Sequence, residues 1–451
     1  MPNTNDVPGG LIALIVKPFL AGKPAVILLL ISLCLGIAAI MITPREEDPQ
    51  IIVPLADIYV QAPGASPEEI EKLVATPLER LLWQIDGVEY VYSMAHKDLA
   101  IVTVRFFVGE DREDSLVKLH NQITMHIDQA PPIVRGWVIK PVEIDDVPIV
   151  HLTLYSDRYN DHELRRIGEE VLWRLSRLKD ISRTFITGGR MREIRVEILP
   201  ERMNAFNISL LQVRKALQGA DAAVTAGHID RFNTSFQVST NSFLQSVGDV
   251  EKLVVGAYEG RPVYLRKIST VIDGPAEAEN YTRIAYSDRH RQAAQIKEPL
   301  LEYPAVTLSL AKKPGTNAVD VSRHILSRLE ELKDNIIPQD VSVEVTRNYG
   351  YTAQEKVRNL LVSLGFAVLT VVLLLAFTLG WREALVVAVA VPVSFSLALF
   401  MNYLFGYTIN RVTLFALILS LGLVVDDPIT IVDNIRRLIF MGRRSPFSAT
   451  L

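Results

Sequence analysis

Apolar residues are spread unevenly along this chain of 451 residues, and their spacing separates two kinds of region. Ala25–Thr43 contains no charged residue, and further apolar runs follow at Leu360–Leu379, Ala384–Leu404 and Leu414–Val432. Each run is close to the roughly 20 residues that an α-helix needs to cross a bilayer. The pattern therefore predicts four transmembrane helices in contact with membrane lipid, one before and three after a long polar region.

A cleaved secretory signal peptide is the alternative interpretation of the first apolar run. Signal peptides have an apolar core of about 7–15 residues and a small-residue cleavage site. Ala25–Thr43 is longer and is followed by Pro44-Arg45-Glu46-Glu47, so we favour an uncleaved anchor. Before it, Gly10–Leu20 is predicted to lie as a short helix in the membrane interface.

Basic residues predict the orientation of the spans, because cytoplasmic loops carry an excess of lysine and arginine. If Lys17 and Lys23 are cytoplasmic, alternation places Arg382 and the arginines at 436, 437, 443 and 444 on the same side. Residues 44–355 then lie outside, and only Lys356 and Arg358 depart from the rule.

The outer region alternates strand and helix patterns. Ile51–Val60 predicts a strand, and Ser66-Pro67-Glu68-Glu69 predicts a helix start with a capping box. Apolar residues at helical spacing follow from Ile70 to Ile85, with a kink expected at Pro77. The strands Val88–Met94 and Ala100–Phe107 complete this first pattern.

The same order recurs after residue 146. A strand, Val147–Tyr155, precedes a helix that we expect Asp161 to cap, and Ile181–Thr187 with Glu193–Ile198 predicts a strand pair. Ala305–Leu310, Val319–Leu332 and Val341–Thr346 are predicted as the strand, helix and strand that complete this second unit. Helix, strand, turn, strand is typical of the ferredoxin-like split βαβ arrangement.

The predicted fold class is therefore a membrane α-helical bundle plus an α+β extracytoplasmic domain. The predicted divisions are 1–43 (interfacial helix and first span), 44–146 (first α+β subdomain), 147–187 and 276–355 (two parts of the second), 188–275 (an insertion), and the spans 360–379, 384–404 and 414–432.

Composition excludes several function classes. A net charge of −4 gives no basic excess for nucleic acid. The one cysteine, Cys34, lies in the first apolar run, so the outer region is expected to have no disulfide. The eight histidines are scattered, and the sequence has no glycine-rich phosphate loop or nucleophile motif. We therefore predict no metal, no cofactor and no enzymatic activity.

Asp426 and Asp427 are the residues that carry candidate chemistry. Asp427 is about 20 Å from Leu414 along a helix, near the middle of a roughly 30 Å apolar core. A carboxylate there costs about 2.5–3.5 kcal/mol. Desolvation and mutual repulsion both favour the protonated form, so we predict a proton relay. The alternative, compatible with it, is that the pair neutralises basic partners and holds the bundle together.

Several stretches resemble the resistance-nodulation-division (RND) efflux transporters, in their hydrophobe/amphiphile efflux branch. The most specific is Gly422-Leu423-Val424-Val425-Asp426-Asp427 with Val432-Asp433-Asn434, which is similar to the family's fourth-span motif. Weaker matches are 44–49, 63–66, 77–79, 87–88, 200–203, 315–318, 381–382 and 391–394. The resemblance covers nearly the whole chain.

The resemblance implies the N-terminal half of a proton/substrate antiporter in the inner membrane of Gram-negative bacteria. It implies a homotrimer with a periplasmic adaptor (membrane fusion) protein and an outer-membrane channel, and an outer domain made of porter subdomains with an inserted docking subdomain. The family's two aspartates match Asp426 and Asp427, and Phe185 is a candidate lining residue of the substrate pocket. The alternatives are a protein-export auxiliary of the same superfamily and a half-length fragment that does not transport.

Overall fold

The structure is a computed structural model that describes residues 19–20, 23–47, 49, 53–143, 146–220, 223–232, 234–241, 244–287, 302–378 and 380–441. Most of the predicted interfacial helix Gly10–Leu20 lies outside these residues, as do Arg443 and Arg444.

A first helix leads into a first α+β unit. Its elements are α1 (Pro24–Ile42), β1 (Leu55–Gln61), α2 (Pro67–Ile70), a π-helical segment (Glu71–Ala75), α3 (Thr76–Leu82), β2 (Val88–His96), β3 (Leu99–Phe106), α4 (Arg112–Met125), a 3₁₀ turn (Ile127–Gln129) and β4 (Gly136–Val142). The strands form an antiparallel sheet in the order β2-β3-β1-β4. Helices cover one face, because alternate strand residues such as Ile58 and Val102 pack against Leu82 and Leu119.

The start of α2 confirms the predicted capping box. The Ser66 hydroxyl accepts from the Glu69 amide, and the Glu69 carboxylate accepts from the Ser66 amide at 2.9 Å. The irregularity expected at Pro77 takes the form of the π-helical segment just before it, where the Thr76 amide donates to the Glu71 carbonyl. A proline has no amide hydrogen for the regular helical bond, so the helix departs from α geometry nearby.

A second α+β unit is interrupted by an insertion. The chain runs through β5 (Val150–Tyr155), α5 (Asp161–Leu175), β6 (Ile181–Thr187), β7 (Arg192–Ile198), α6 (Pro200–Ala205), α7 (Leu210–Ala220), β8 (Ala223–Arg231), β9 (Thr234–Asn241), α8 (Val247–Glu251), β10 (Val254–Tyr258), β11 (Arg261–Tyr264), α9 (Leu265–Ile268), β12 (Ser269–Pro275), β13 (Arg283–Ile284), β14 (Tyr303–Lys312), α10 (Ala318–Asn335) and β15 (Ser342–Asn348).

The second sheet repeats the order of the first. Its strands lie as β6-β14-β5-β15, all antiparallel, with β13 beside β14 at one end. The helices α5 and α10 cover one face, where Leu164, Leu175, Ile325 and Leu329 meet Leu308. Between β6 and β14 the insertion has its own core around Ile208, Val213 and Leu265.

One capping residue was predicted wrongly. We expected Asp161 to cap α5, but Asn160 is the N-cap and accepts from the Glu163 amide at 3.0 Å. Asp161 is the first residue of the helix instead, and Arg190 donates to both of its carboxylate oxygens. Asparagine and aspartate are equally good caps, so composition alone does not choose between neighbours.

The chain then enters three long helices, α11 (Tyr349–Thr378), α12 (Trp381–Leu404) and α13 (Arg411–Phe440). Among the described residues, these and α1 are the four helices long and apolar enough to cross a membrane. All three extend beyond the predicted apolar runs, and α12 and α13 remain continuous through Pro392 and Pro428. Both helices therefore accommodate an internal proline, as membrane helices commonly do.

Small residues allow α1 to approach α12 closely. Ser32, Gly36 and Ala39 are buried on one face of α1, as their spacing of three to four residues dictates. A β-carbon placed on Gly36 would lie 2.3 Å from the β-carbon of Ser396 on α12. Close contact through small residues is how helices associate in membranes, where apolar burial gives little drive.

Candidate proton site

The aspartate pair lies at the middle of α13. Asp426 follows Arg411 by 15 residues and precedes Phe440 by 14, so each end of the helix is about 20 Å away. Asn410 caps the helix, since its side-chain oxygen accepts from the amides of Val412 and Thr413 at 3.0 Å. The aspartate pair thus lies on a helix whose first turn is capped by Asn410.

One face of α13 packs on this chain, and the aspartates lie on the other. Val425 and Leu417 are buried against α11 and α12, with Val424 and Ile429 partly buried beside them. Asp426 and Asp427 are exposed. Within the described residues, neither carboxylate makes an ion pair or a hydrogen bond to another side chain.

The exposed face carries more polar residues than the pair alone. Thr430, Asp433, Asn434 and Arg437 are also exposed. Positions 426, 430, 433 and 437 recur every three to four residues along one side of a helix, with 427 and 434 beside them. We call residues 426, 427, 430, 433, 434 and 437 the polar stripe. Toward the start of α13 the same side is apolar, with Phe415, Leu419 and Leu423 exposed. The polarity of this face therefore changes at the aspartate pair.

Pro428 lies directly after the pair within the continuous helix. Having no amide hydrogen, it cannot donate to the carbonyl of Val424, four residues earlier. That carbonyl is one turn from the carboxylates. The Val424 carbonyl, close to the two aspartates, therefore lacks its regular helical hydrogen-bond donor.

Phe185 lies in a different part of the molecule. It is on β6, 43% exposed, and is opposite Ser309 in the second sheet. Ser309 is in turn opposite His151, and its hydroxyl lies 2.8 Å from Nδ1 of that ring. The structure therefore places Phe185 in the second α+β unit and does not bring it near the aspartates.

The sheet face that carries Phe185 is polar. Directly paired residues on neighbouring strands share a face, and the next row joins Thr187, Thr307 and Thr153. The Thr153 hydroxyl lies 3.0 Å from that of Thr307 and 3.1 Å from that of Thr346. Burial, followed by repulsion from Arg347, lowers the pKa of His151. Hydroxyls and an imidazole thus lie on the same sheet face as Phe185.

The polar stripe and the surroundings of Phe185 were not predicted. The stripe had a sequence signal, because its spacing is visible once the helix is known to continue past Val432 to Phe440. The row of threonines had none, since its members come from four strands far apart in the chain.

Comparison with known proteins agrees with the motifs. The sequence matches the AcrB/AcrD/AcrF family over residues 15–451. It is 27% identical over 432 residues to a protein of Photorhabdus laumondii named multidrug resistance protein MdtC, covering 94% of this chain and 39% of that protein. The protein of the same name from Erwinia amylovora is 29% identical over 440 residues, covering 96% of this chain and 41% of that protein.

The chain thus spans about two fifths of the length of these curated relatives. The family match covers the two α+β units, the four long helices among the described residues and the aspartate pair. The resemblance to RND transporters that the motifs predicted is confirmed, and the chain belongs to the AcrB/AcrD/AcrF family.

Proposed function

We propose that this chain is part of an inner-membrane RND antiporter, in which protons bound and released at Asp426 and Asp427 drive the export of hydrophobic or amphiphilic compounds. The observation that carries the proposal is the position of the pair at mid-helix on a face that this chain leaves exposed. Two adjacent carboxylates in an apolar layer cannot both stay charged at low cost. Binding a proton changes which contacts that face can make.

The polar stripe is proposed to face another helix of the complete transporter. A cation supplied from outside the described residues would pair with Asp426 or Asp427 while they are charged and lose that partner when they are protonated. The energy available is about 2.3 kcal/mol per proton per 100 mV of membrane potential. Over a transport cycle that suffices to move a helix against its neighbours.

The family supports further parts of this proposal. We propose that the two α+β units are porter subdomains, that the insertion is the docking subdomain, and that Phe185 contributes to the substrate pocket. The curated relatives are named multidrug resistance proteins, so we propose efflux through a tripartite complex. In it a homotrimer works with a periplasmic adaptor and an outer-membrane channel in a Gram-negative envelope.

The test is substitution of the pair in the complete protein. Asp426→Asn and Asp427→Asn, each alone, should lower export of a fluorescent dye to the level of a strain without the pump, while the amount of protein in the membrane stays constant. Asp334→Asn, which neutralises an exposed carboxylate on α10 away from the polar stripe, is the control and should export normally. Undiminished export by both asparagine variants would refute the proton role.

A further inference from the structure

Four buried polar side chains meet at the outer end of the helix bundle: Glu46, Lys312, Thr408 and Asn410. We call them the outer junction. Glu46 follows α1, Lys312 is the last residue of β14, and Thr408 and Asn410 precede α13. The outer junction therefore lies where the first membrane helix, the fourth membrane helix and the second α+β unit come together.

The side chains of the outer junction form a continuous series of hydrogen bonds. Lys312 Nζ donates to Glu46 Oε1 at 2.6 Å, and these side chains are only 6% and 3% exposed. The Thr408 hydroxyl donates to Glu46 Oε2 at 3.1 Å, and the Asn410 amide group donates to the Thr408 hydroxyl at 3.1 Å. Because Asn410 also caps α13, the series runs from the end of β14 to the first turn of the helix that carries the aspartates.

Backbone bonds reinforce this connection. The Ile409 amide donates to the Pro44 carbonyl at 2.9 Å, and the Glu46 amide donates to the Ile409 carbonyl at 3.0 Å. On the other side, the Ala318 amide at the start of α10 donates to the Arg45 carbonyl at 3.0 Å. Residues 44–46 are thus bonded both to the segment before α13 and to the second α+β unit.

The helix between the outer junction and the aspartate pair is suited to carry movement. Asp426 is 16 residues beyond Asn410, roughly 24 Å along the axis, and no proline lies between them. Pro428 comes only after the pair. A shift or rotation at the aspartates therefore reaches Asn410 through an uninterrupted run of helix.

Stability alone is a poor explanation for the buried pair. Apolar residues of similar volume commonly stabilise a protein as well as a buried ion pair or better, because two charges must be taken out of water. A fully bonded buried pair does, however, fix one relative position of the elements that carry it. At Glu46 and Lys312 those elements are the segment after α1 and the end of β14, and the Thr408 hydroxyl joins the start of α13 to the same carboxylate.

We propose that the outer junction couples α13 to the second α+β unit, with Glu46 as the positioning residue that joins Thr408 to Lys312. The inference rests on the proposed proton-driven function and adds a route from the aspartates to the outer domain. When proton binding displaces α13, Thr408 and Asn410 move with it. Because Glu46 is bonded to Thr408, it moves too, and with it move the end of β14 and the start of α10.

The experiment uses hydrogen–deuterium exchange on the complete protein in lipid vesicles. Exchange of the amides in residues 312–318 is compared between the native aspartates and the Asp426→Asn/Asp427→Asn double variant, which imitates the neutral pair. We expect the exchange rates of these amides to differ about tenfold between the two proteins. Adding Thr408→Val, which removes the connecting hydroxyl and leaves the Glu46–Lys312 pair intact, should reduce that change to less than about twofold.

Two further variants define the outcome. Glu46→Gln/Lys312→Met removes both charges and should abolish the response in the same way, so the test does not depend on how well Thr408→Val folds. Glu330→Gln/Lys333→Met removes an exposed lysine–glutamate pair on α10 and should leave the response intact. An unchanged response in the junction variants, or no response with the native junction, overturns the coupling.

Dye export by the same proteins separates this inference from the proposed function. If the asparagine double variant exports normally, the proton role fails whatever the exchange data give. If it stops exporting while Thr408→Val exports at the native rate and keeps the exchange response, the proton role stands and the outer junction is not the coupling element.

Discussion

Acidic side chains occur at two levels of the helix bundle, and the chain surrounds them in opposite ways. Glu46, at the end of the bundle next to the α+β units, is buried and bonded to Lys312 and Thr408. Asp426 and Asp427, about 24 Å further along α13, are exposed, and within the described residues they form no ion pair. This chain supplies the counter-charge of Glu46, whereas the two aspartates lie on a face of α13 that this chain leaves exposed.

The difference follows from the free-energy cost of removing each charge from water. Glu46 is withdrawn from water by folding, so its counter-charge and hydrogen bonds must form in the same step. The aspartates are not buried by folding of this chain, and their cost arises only from the apolar layer around α13. The comparison thus separates a buried charge pair that this chain completes from two carboxylates that lie on an exposed face of α13.

The largest expected effect is at Lys312. Lys312→Met leaves the Glu46 carboxylate buried without its cation and should lower the free energy of unfolding by about 3–5 kcal/mol. Glu46→Gln/Lys312→Met should recover most of that loss, because no unpaired charge remains. Unfolding in mixed detergent micelles measures both. Equal losses in the single and double variants would contradict the description of a buried pair.

Replacing either aspartate by an apolar residue should be favourable, in contrast to Lys312→Met, and the effect should appear in membrane insertion. Asp426→Leu and Asp427→Leu should each make insertion of α13 more favourable by about 2.5–3.5 kcal/mol. The measurement is glycosylation of acceptor sites placed on either side of α13 during synthesis into microsomes. Glu46→Leu should leave insertion of α13 unchanged. If the aspartate variants insert no better, the pair does not lie in the apolar layer.

A smaller effect is expected at the cap of α13. Asn410→Ala removes the acceptor for two helix amides and should cost about 1–2 kcal/mol of unfolding free energy. The matched control is Asn434→Ala, on the exposed polar stripe, which should change stability by less than about 0.5 kcal/mol. Equal costs at the two asparagines would show that Asn410 is not a structural part of the outer junction.

The smallest effect is expected at Asp161, whose ion pair is intermediate in exposure. Hydrogen bonds from Arg190 hold the pKa of this carboxyl below its usual range. The stability that it contributes is therefore complete above the unfolded pKa of about 3.9 and is lost as the pH falls through the folded value.

Asp161→Asn should accordingly cost about 1 kcal/mol or less at neutral pH and make unfolding less dependent on pH below about 4. Fluorescence of Trp173, on the same helix, reports the transition. Asp157→Asn, at an exposed position just before α5, is the control. If Asp161→Asn loses stability with falling pH in the same way as the native protein does, the Asp161–Arg190 pair does not stabilise the folded unit.

Local signals in the sequence predicted most elements of the fold. The capping box at Ser66 and the irregularity near Pro77 depend on residues within one or two turns, so both were predicted, although a kink was expected where the structure has a π-helical segment. The elements α4 and β4 were not predicted. In α4 the buried positions are only Ser115, Leu119 and Ile123, so its apolar pattern is too short to stand out among charged neighbours.

The aspartate pair was found from the sequence because its signal is also local: two adjacent acids inside an apolar run. The sequence alone did not determine which face they occupy. That depends on Val425 and Leu417 packing against α11 and α12, contacts between helices that hydropathy does not specify.

By itself, the sequence determined that four helices can cross a membrane, that repeated α+β patterns lie between the first and second of them, and that two acids stand in the last, because each follows from neighbouring residues. Only the tertiary structure decided that Glu46, Lys312 and Thr408 meet. Glu46 is 266 residues from Lys312 and 362 from Thr408, and a buried charge finds its partner through the fold rather than through any spacing in the sequence.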